Sequence, residues 1–226
     1  TLPEVRLRRR GRAKIALLEA IASGSLHAGE SVVIISGDIH DGIELLDTIA
    51  LVRLGETDSA LDGEPGAPLA LLRDVADPAI FDALLTLCIE LGHDGKEGKP
   101  VGLTATLGDH ERVLQRSHPL VINPFQGHVE EDRNILVPAA RRAIREFSGM
   151  DGAFVVTREG VVVAGGRYLQ DVGPETRVPA GLGARHRAAA GITASTSAIS
   201  FCVSETSGDT RVFGGGRLLM TIARAD

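Results

Sequence analysis

The sequence predicts an α/β protein of two domains, and three observations carry that prediction. Short apolar runs of strand length alternate with longer segments of helical spacing. The chain has 226 residues, 43% of them hydrophobic, enough for a full core and with room for two small domains. Asn123-Pro124 forms a natural seam between a first half that reads strand, helix, strand, helix and a second half that carries a hairpin signal. The expected division is residues 1–122, a small parallel sheet covered by helices, and residues 123–226, a mixed sheet flanked by helices.

Residues 2–23 place Leu7, Ile15, Leu18 and Ile21 among basic positions, which is an amphipathic helix ended by Ser23-Gly24. Within it, Arg8-Arg9-Arg10-Gly11-Arg12 reads first as a solvated face or subunit contact, and second as a patch for an anionic partner. Ser31 to Ser36 is a β-branched run bounded by glycines and suits a strand buried on both faces. Residues 43–54 have helical spacing, and the Gly, Pro, Asp and Glu of residues 55–68 signal an exposed connection. Pro78 opens an apolar helix that Gly92 closes, because proline costs least where the helix has no partner for its N–H.

Residues 98–107 read as a strand, residues 109–116 as a helix and Leu120-Val121-Ile122 as a short strand. Beyond the seam, Asp132 or Asn134 is the expected cap of a helix whose Ile135, Leu136, Ala139, Ala143, Ile144 and Phe147 share a face, ending at Gly149. Ala153 to Val156 and Val161 to Ala164 form a hairpin across Arg158-Glu159-Gly160, and Gly165-Gly166 is expected to break its second strand. An alanine-rich helix over residues 182–194 is followed by strands at residues 197–204, 211–213 and 218–222.

Composition narrows the function. A net charge of −6 argues against a general nucleic-acid surface, which needs a broad basic face, so any anion site must be local. Aromatic residues are only 3% with no Trp, which leaves few of the stacking platforms common in single-strand binders. No apolar stretch approaches the roughly 20 residues that span a bilayer, and there is no signal-like apolar core at the start. Cys88 and Cys202, each between apolar neighbours, read as buried reduced thiols, and the expectation is a soluble cytoplasmic protein.

Two strings carry the chemistry. Asp151-Gly152-Ala153 opens an apolar strand, where a carboxylate can face a cleft while glycine lets a ligand approach the backbone. Arg185-His186-Arg187 follows Gly181 and Gly183 at a helix N-terminus, where free N–H groups, the helix dipole and guanidinium donors can converge on phosphate. A metal-binding carboxylate and such a cationic corner together suit chemistry on a nucleoside triphosphate. Adjacent helical residues point in different directions, so the three side chains cannot grip one ligand equally. For His186, a hydrogen-bonded structural role and a direct phosphate contact stand side by side. Ser204-Glu205-Thr206, at the exit of a strand, is a third candidate, and His27, His40, His93, His110, His118 and His128 show no spacing suited to zinc.

Taken in order, Asp151-Gly152-Ala153, Gly181 to Ala189 and Val203-Ser204-Glu205 resemble the signature of the diadenylate cyclase domain. Gly95 to Gly102, Asn123-Pro124-Phe125 and Gly165 to Leu169 resemble its archaeal-type soluble members, whose N-terminal domain is similar in fold to the C-terminal domain of pyruvate kinase. The resemblance implies condensation of two ATP into cyclic di-AMP with release of two pyrophosphates, using Mn2+ or Mg2+, across a homodimer of facing cyclase domains or a larger homo-oligomer. It implies that Asp151 binds metal and activates the hydroxyl, that Gly152 and Ala153 lie against the nucleotide, and that Leu169 contacts adenine. Arg185 and His186 would engage phosphate with Gly183 and Arg187 in support, and Ser204 and Glu205 would complete the phosphate and metal side. Ala184 stands where the family often has Thr, and Thr206 where many relatives have a second acid. Two other readings are a sensor that binds adenine nucleotides without consuming them, and an assembly module whose arginines meet acidic partners.

Overall fold

The computed structural model describes residues 7, 9–27, 29–40, 43–54, 69–73, 75–96, 98–170 and 181–224. The expected connection at residues 55–68 lies outside them. The elements run α1 (Arg9–Ala22), β1 (Ser31–His40), β2 (Ile43–Arg53), a single 3-10 turn at Leu69–Leu72, α2 (Pro78–His93), β3 (Leu103–Leu107), α3 (His110–Gln115), β4 (Ser117–Pro119), α4 (Pro138–Phe147), β5 (Ala153–Val156), β6 (Val162–Leu169), α5 (Ala184–Ser195), β7 (Ile199–Val203), β8 (Thr210–Gly214) and β9 (Arg217–Ile222).

Seven strands form one mixed sheet in the order β4-β6-β5-β3-β7-β8-β9. β3 runs parallel to β5 and antiparallel to β7, and every other neighbouring pair is antiparallel. A strand at the centre of a sheet is covered on both faces, so its residues must serve two cores at once. β3 does this by alternation. Leu103, Ala105 and Leu107 join the large core with α1 and α2, whereas Thr104 and Thr106 point to the opposite face. β5 divides in the same way: Phe154 and Val156 enter the large core, and Ala153 and Val155 pack with Val113 of α3 and Ile192 of α5. Helices therefore cover both faces, α1, α2 and α4 on one and α3 and α5 on the other.

The α2 start is as the sequence anticipates, with Asp77 as N-cap accepting from the Ala79 N–H at 2.8 Å and Pro78 in the first turn. The rings of Phe81 on α2 and Phe201 on β7 sit 5.4 Å apart and are both fully buried, which anchors that helix on the sheet. Both cysteines are buried, and burial pushes the Cys202 thiol up to about 11 and Cys88 above the usual range, so neither is poised to react.

Several sequence expectations are corrected. Residues 43–54 form a strand, not a helix. This segment is apolar at so many positions that helical spacing is satisfied by coincidence, and its β-branched Thr48, Ile49 and Val52 favour the extended form. It pairs antiparallel with β1, so the first half holds a two-stranded hairpin in place of a small parallel sheet. β1 is covered on one face only: Val32 and Ile34 pack on the core, while Val33 and Ile35 are exposed.

The seam at Asn123-Pro124 does not separate two sheets. β3, which precedes it, is the central strand of the sheet that β5 to β9 complete, so a boundary between residues 122 and 123 runs through one hydrogen-bonded unit. The short strand lies at Ser117–Pro119, earlier than Leu120-Val121-Ile122, although the Leu120 N–H still donates to the Gly166 carbonyl at 2.8 Å. α4 starts at Pro138 with Val137 as N-cap, and Asn134 is drawn away to the β5–β6 turn, where its side-chain amide donates to the Glu159 carbonyl at 2.8 Å. β6 continues through Gly165-Gly166 to Leu169, absorbing the change as register shifts against β5.

Candidate functional site

The β5 entrance, the end of β6 and the start of α5 converge because β5 and β6 are hydrogen-bonded neighbours and α5 packs across the same sheet face. Between them lies a cavity of about 650 Å³, lined by Asp151, Gly152 and Ala153, by Arg167, Tyr168 and Leu169, by Ala184, Arg185, Arg187 and Ala188, and by Thr104 and Leu120. Of the residues expected at a site, Asp151, Gly152, Ala153, Leu169, Arg185 and Arg187 are thus together. Asp151 is exposed and is the only carboxylate among the described lining residues. The space suits a nucleotide-sized ligand, with one acidic wall and one cationic wall.

Local backbone chemistry explains how each group reaches the cavity. Gly152 has φ +100°, and a Cβ there would stand 2.6 Å from the Gly166 carbonyl carbon and 2.7 Å from the Arg167 nitrogen. Only glycine lets β5 and β6 approach so closely behind Asp151. Gly183 is the N-cap of α5, in extended backbone with no side chain over the first-turn N–H groups. Arg187 is held by a hydrogen bond from its guanidinium to the Leu182 carbonyl at 3.1 Å. The Arg185 guanidinium pairs with the Glu205 carboxylate at 3.5 Å and lies over Gly102, where a Cβ would stand 2.0 Å from its Nη1.

Four expected residues do not line the cavity: Gly183, the N-cap of α5, and Ser204, Glu205 and His186. Ser204 closes a turn, accepting from the Ser207 N–H at 3.1 Å while its own N–H donates to the Asp209 carbonyl at 2.9 Å. Glu205 is engaged by Arg185 and does not join Asp151 on the cavity wall; among the described residues no group of three or more His, Cys, Asp or Glu converges as a metal cage. His186 turns from the cavity toward β8, with 8% of its surface exposed, its ring edge-on to Phe213 and its Nε2 3.3 Å from Arg211 Nη1. This is the helical divergence of neighbouring side chains, and it places the His186 ring against β8 and away from the cavity.

The protonation of His186 follows from its partner. Arginine only donates, so Nε2 must accept, and the neutral ring carries its proton on Nδ1. Burial, reinforced by the Arg211 and Arg185 charges, lowers its pKa to about 4, against a smaller opposing effect of Asp209. The unfolded chain therefore binds a proton near the ordinary histidine value of 6.5 that the folded chain refuses until about 4. Between those values the unfolded state holds more protons, so stability falls as pH drops through that window, by about 3 kcal/mol in all. Chemical denaturation of the chain and of His186→Gln at pH 7 and pH 4 checks this: the deficit of the variant should shrink at the lower pH, and parallel pH slopes would refute it.

Sequence reasoning missed Arg167, Tyr168, Thr104 and Leu120. Arg167 is tied by its guanidinium to the Leu114 carbonyl at 2.9 Å and to the Ser117 carbonyl and hydroxyl at 2.6 and 3.0 Å, joining β6 to the α3–β4 corner. Burial lowers its pKa. Tyr168 stacks on His118 with ring centres 4.9 Å apart. Thr104 and Thr106 alternating with Leu103, Ala105 and Leu107 were a legible signal, because period-two alternation in a central strand assigns both threonines to one face.

A family model described as the DisA bacterial checkpoint controller nucleotide-binding domain matches residues 91–218, a span that contains β3 and every lining residue of the cavity. A curated diadenylate cyclase of Methanocaldococcus jannaschii is 42% identical over 136 residues, covering 60% of this chain and 43% of that protein. One of Haloferax volcanii is 38% identical over 149 residues, covering 65% of this chain and 54% of that protein. The chain thus spans about half the length of the curated relatives it matches. A solved Bacillus cereus structure described as a hypothetical membrane spanning protein aligns with a TM-score of 0.47 at 22% identity, over 69% of this chain and 68% of that one. Among the described residues of this chain no helix is long and apolar enough to cross a membrane. With its matched span running from the end of α2 into β9, this chain belongs to the DisA-type nucleotide-binding, or DAC, domain family.

Proposed function

We propose that this chain is a diadenylate cyclase that condenses two ATP molecules into cyclic di-AMP and two pyrophosphates. The observation that supports this most is one cavity in which Asp151, the only carboxylate among the described lining residues, stands with Arg185 and Arg187 beside a helix N-terminus. The curated relatives that bear the name diadenylate cyclase add weight to it.

In each of two equivalent steps the 3'-oxygen of one ATP forms a bond to the α-phosphorus of the other, and the bond from that phosphorus to the bridging oxygen breaks. Pyrophosphate leaves with the electron pair, and the hydroxyl proton passes to the Asp151 carboxylate or through it to water. Arg185 and Arg187 would hold phosphate charge that grows on the leaving group, Gly152 and Ala153 would lie against the nucleotide, and Leu169 would bound the adenine. Arg185 would exchange its Glu205 partner for phosphate, which an ion pair at the cavity edge permits at small cost.

The donor set fits Mg2+ or Mn2+ in one mode. Mg2+ keeps several waters and is held by one or two carboxylates together with substrate phosphates, so the exposed Asp151 suits it where the described residues form no all-protein cage. Asp151 would hold the ion, which when bound lowers the pKa of the attacking hydroxyl and screens the triphosphate. A second copy facing the cavity would bring the other ATP, so the catalytic unit is at least a homodimer. The first segment, α1 with its hairpin, would serve assembly.

Incubation of the chain with ATP and Mn2+ or Mg2+, followed by chromatography, tests the proposal. One cyclic di-AMP and two pyrophosphates should appear for each two ATP consumed. Binding of ATP with no consumption would replace this reading with that of a nucleotide sensor.

A further inference from the structure

The β1–β2 hairpin has one face whose apolar side chains stay exposed among the described residues. Strand parity places Val32, Ile34 and Val52 against the large core. The same parity turns Val33, Ile35, Ile49 and Leu51 outward, with Val33 opposite Leu51 and Ile35 opposite Ile49, and Leu46 opposite Gly37 continues the row. These five are 59%, 59%, 76%, 75% and, for Leu46, 66% exposed. A one-residue slip would bury this row only by exposing the other, so the hairpin cannot hide it alone. Five such side chains present roughly 600 Å² of apolar surface, the upper end of what monomers show as a single patch.

We infer that this face is covered by the same face of a second copy of the chain, the two hairpins stacking as opposed sheets about a two-fold axis. Two considerations select that occupant. The first is self-complementarity: in a two-fold contact each patch meets itself, which repels when the centre of the patch is charged, and the paired rows Val33–Leu51 and Ile35–Ile49 carry no charge. The branched side chains of both rows interdigitate as they do between packed sheets. The second is area: two such patches together remove about 1,200 Å² from water, the threshold of a stable specific interface. A two-stranded sheet is marginal in water by itself, and stacking supplies the missing cover.

No described residue of this hairpin lines the cavity, so the contact is separate from the facing of two cavities proposed above and does not rest on it. Two measurements on the full chain test it. Single substitutions Val33→Cys, Ile35→Cys, Ile49→Cys and Leu51→Cys place a thiol on this face while the native Cys88 and Cys202 stay buried. Mild oxidation should then link two copies from at least one position, whichever other assembly the chain forms. The double substitution Ile49→Glu and Leu51→Glu should halve the mass read by sedimentation at tens of micromolar, with the circular dichroism spectrum retained. Absence of a linked dimer from all four cysteine variants overturns the inference, even if the charged variant fails to fold. An unchanged mass for the folded charged variant, or a monomeric parent chain at that concentration, overturns it as well.

Discussion

Replacing Asp151 by Asn should lower cyclic di-AMP formation by at least about a hundredfold, the size of a lost acid–base contribution, while the chain still folds and binds ATP within a few-fold. Asp151 is the only carboxylate among the described cavity-lining residues, so no described neighbour stands ready to take over its charge. The amide keeps the shape but cannot take up the hydroxyl proton, and its uncharged oxygen is a weaker ligand for a divalent cation than a carboxylate. Because Asp151 is exposed, the core does not depend on it, and the melting temperature should be unchanged. Single-turnover assays with calorimetric ATP titration separate the two effects. Product formed at the parental rate would remove Asp151 from the chemistry, whereas loss of ATP binding in step with turnover would make it a binding group.

Gly152→Ala should act on both fold and activity. Its φ of +100° is a conformation that an L side chain rarely adopts, and the added Cβ would meet three backbone atoms of Gly166 and Arg167 within 3.0 Å. Backbone on a hydrogen-bonded strand cannot step aside as a flexible side chain can, so strain and overpacking add to roughly 3–5 kcal/mol. Equilibrium denaturation should show that loss, and turnover should fall in the fraction still folded because Asp151 moves with its neighbour. Gly102→Ala makes the contrast: its Cβ would meet the movable far end of Arg185 and, at 3.2 Å, the Glu205 Cβ, with no backbone atom among its nearest neighbours, so the loss of stability should be much smaller. Equal stability of Gly152→Ala and the parent would contradict the close approach of β5 and β6.

Much of the site was legible before the fold was known. Asp151, Gly152, Ala153, Arg185 and Arg187 stand in strings that local pattern singles out, Leu169 enters through the family resemblance, and all six line one cavity. What misled was context that no local pattern contains. His186 sits between two cavity-facing arginines in sequence, yet the helix turns it onto Phe213 and Arg211. Glu205 reads as a metal ligand until Arg185 is seen beside it. Residues 43–54 satisfy helix and strand spacing alike, and only pairing with β1 decides between them.

By itself the sequence determined the quantities that depend on nearest neighbours along the chain: the start of α2 at Asp77-Pro78, the β5–β6 hairpin, the glycine that admits a close approach, and the charge that confines any anion site to a local corner. The tertiary structure decided which strand is central. Leu103 to Leu107 joins strands from residues 153–156 and 199–203, contacts whose formation depends on closing long loops and not on any local preference. That insertion dissolves the expected boundary, brings Thr104 to the cavity wall, and leaves the hairpin outside the main sheet with an apolar face still exposed.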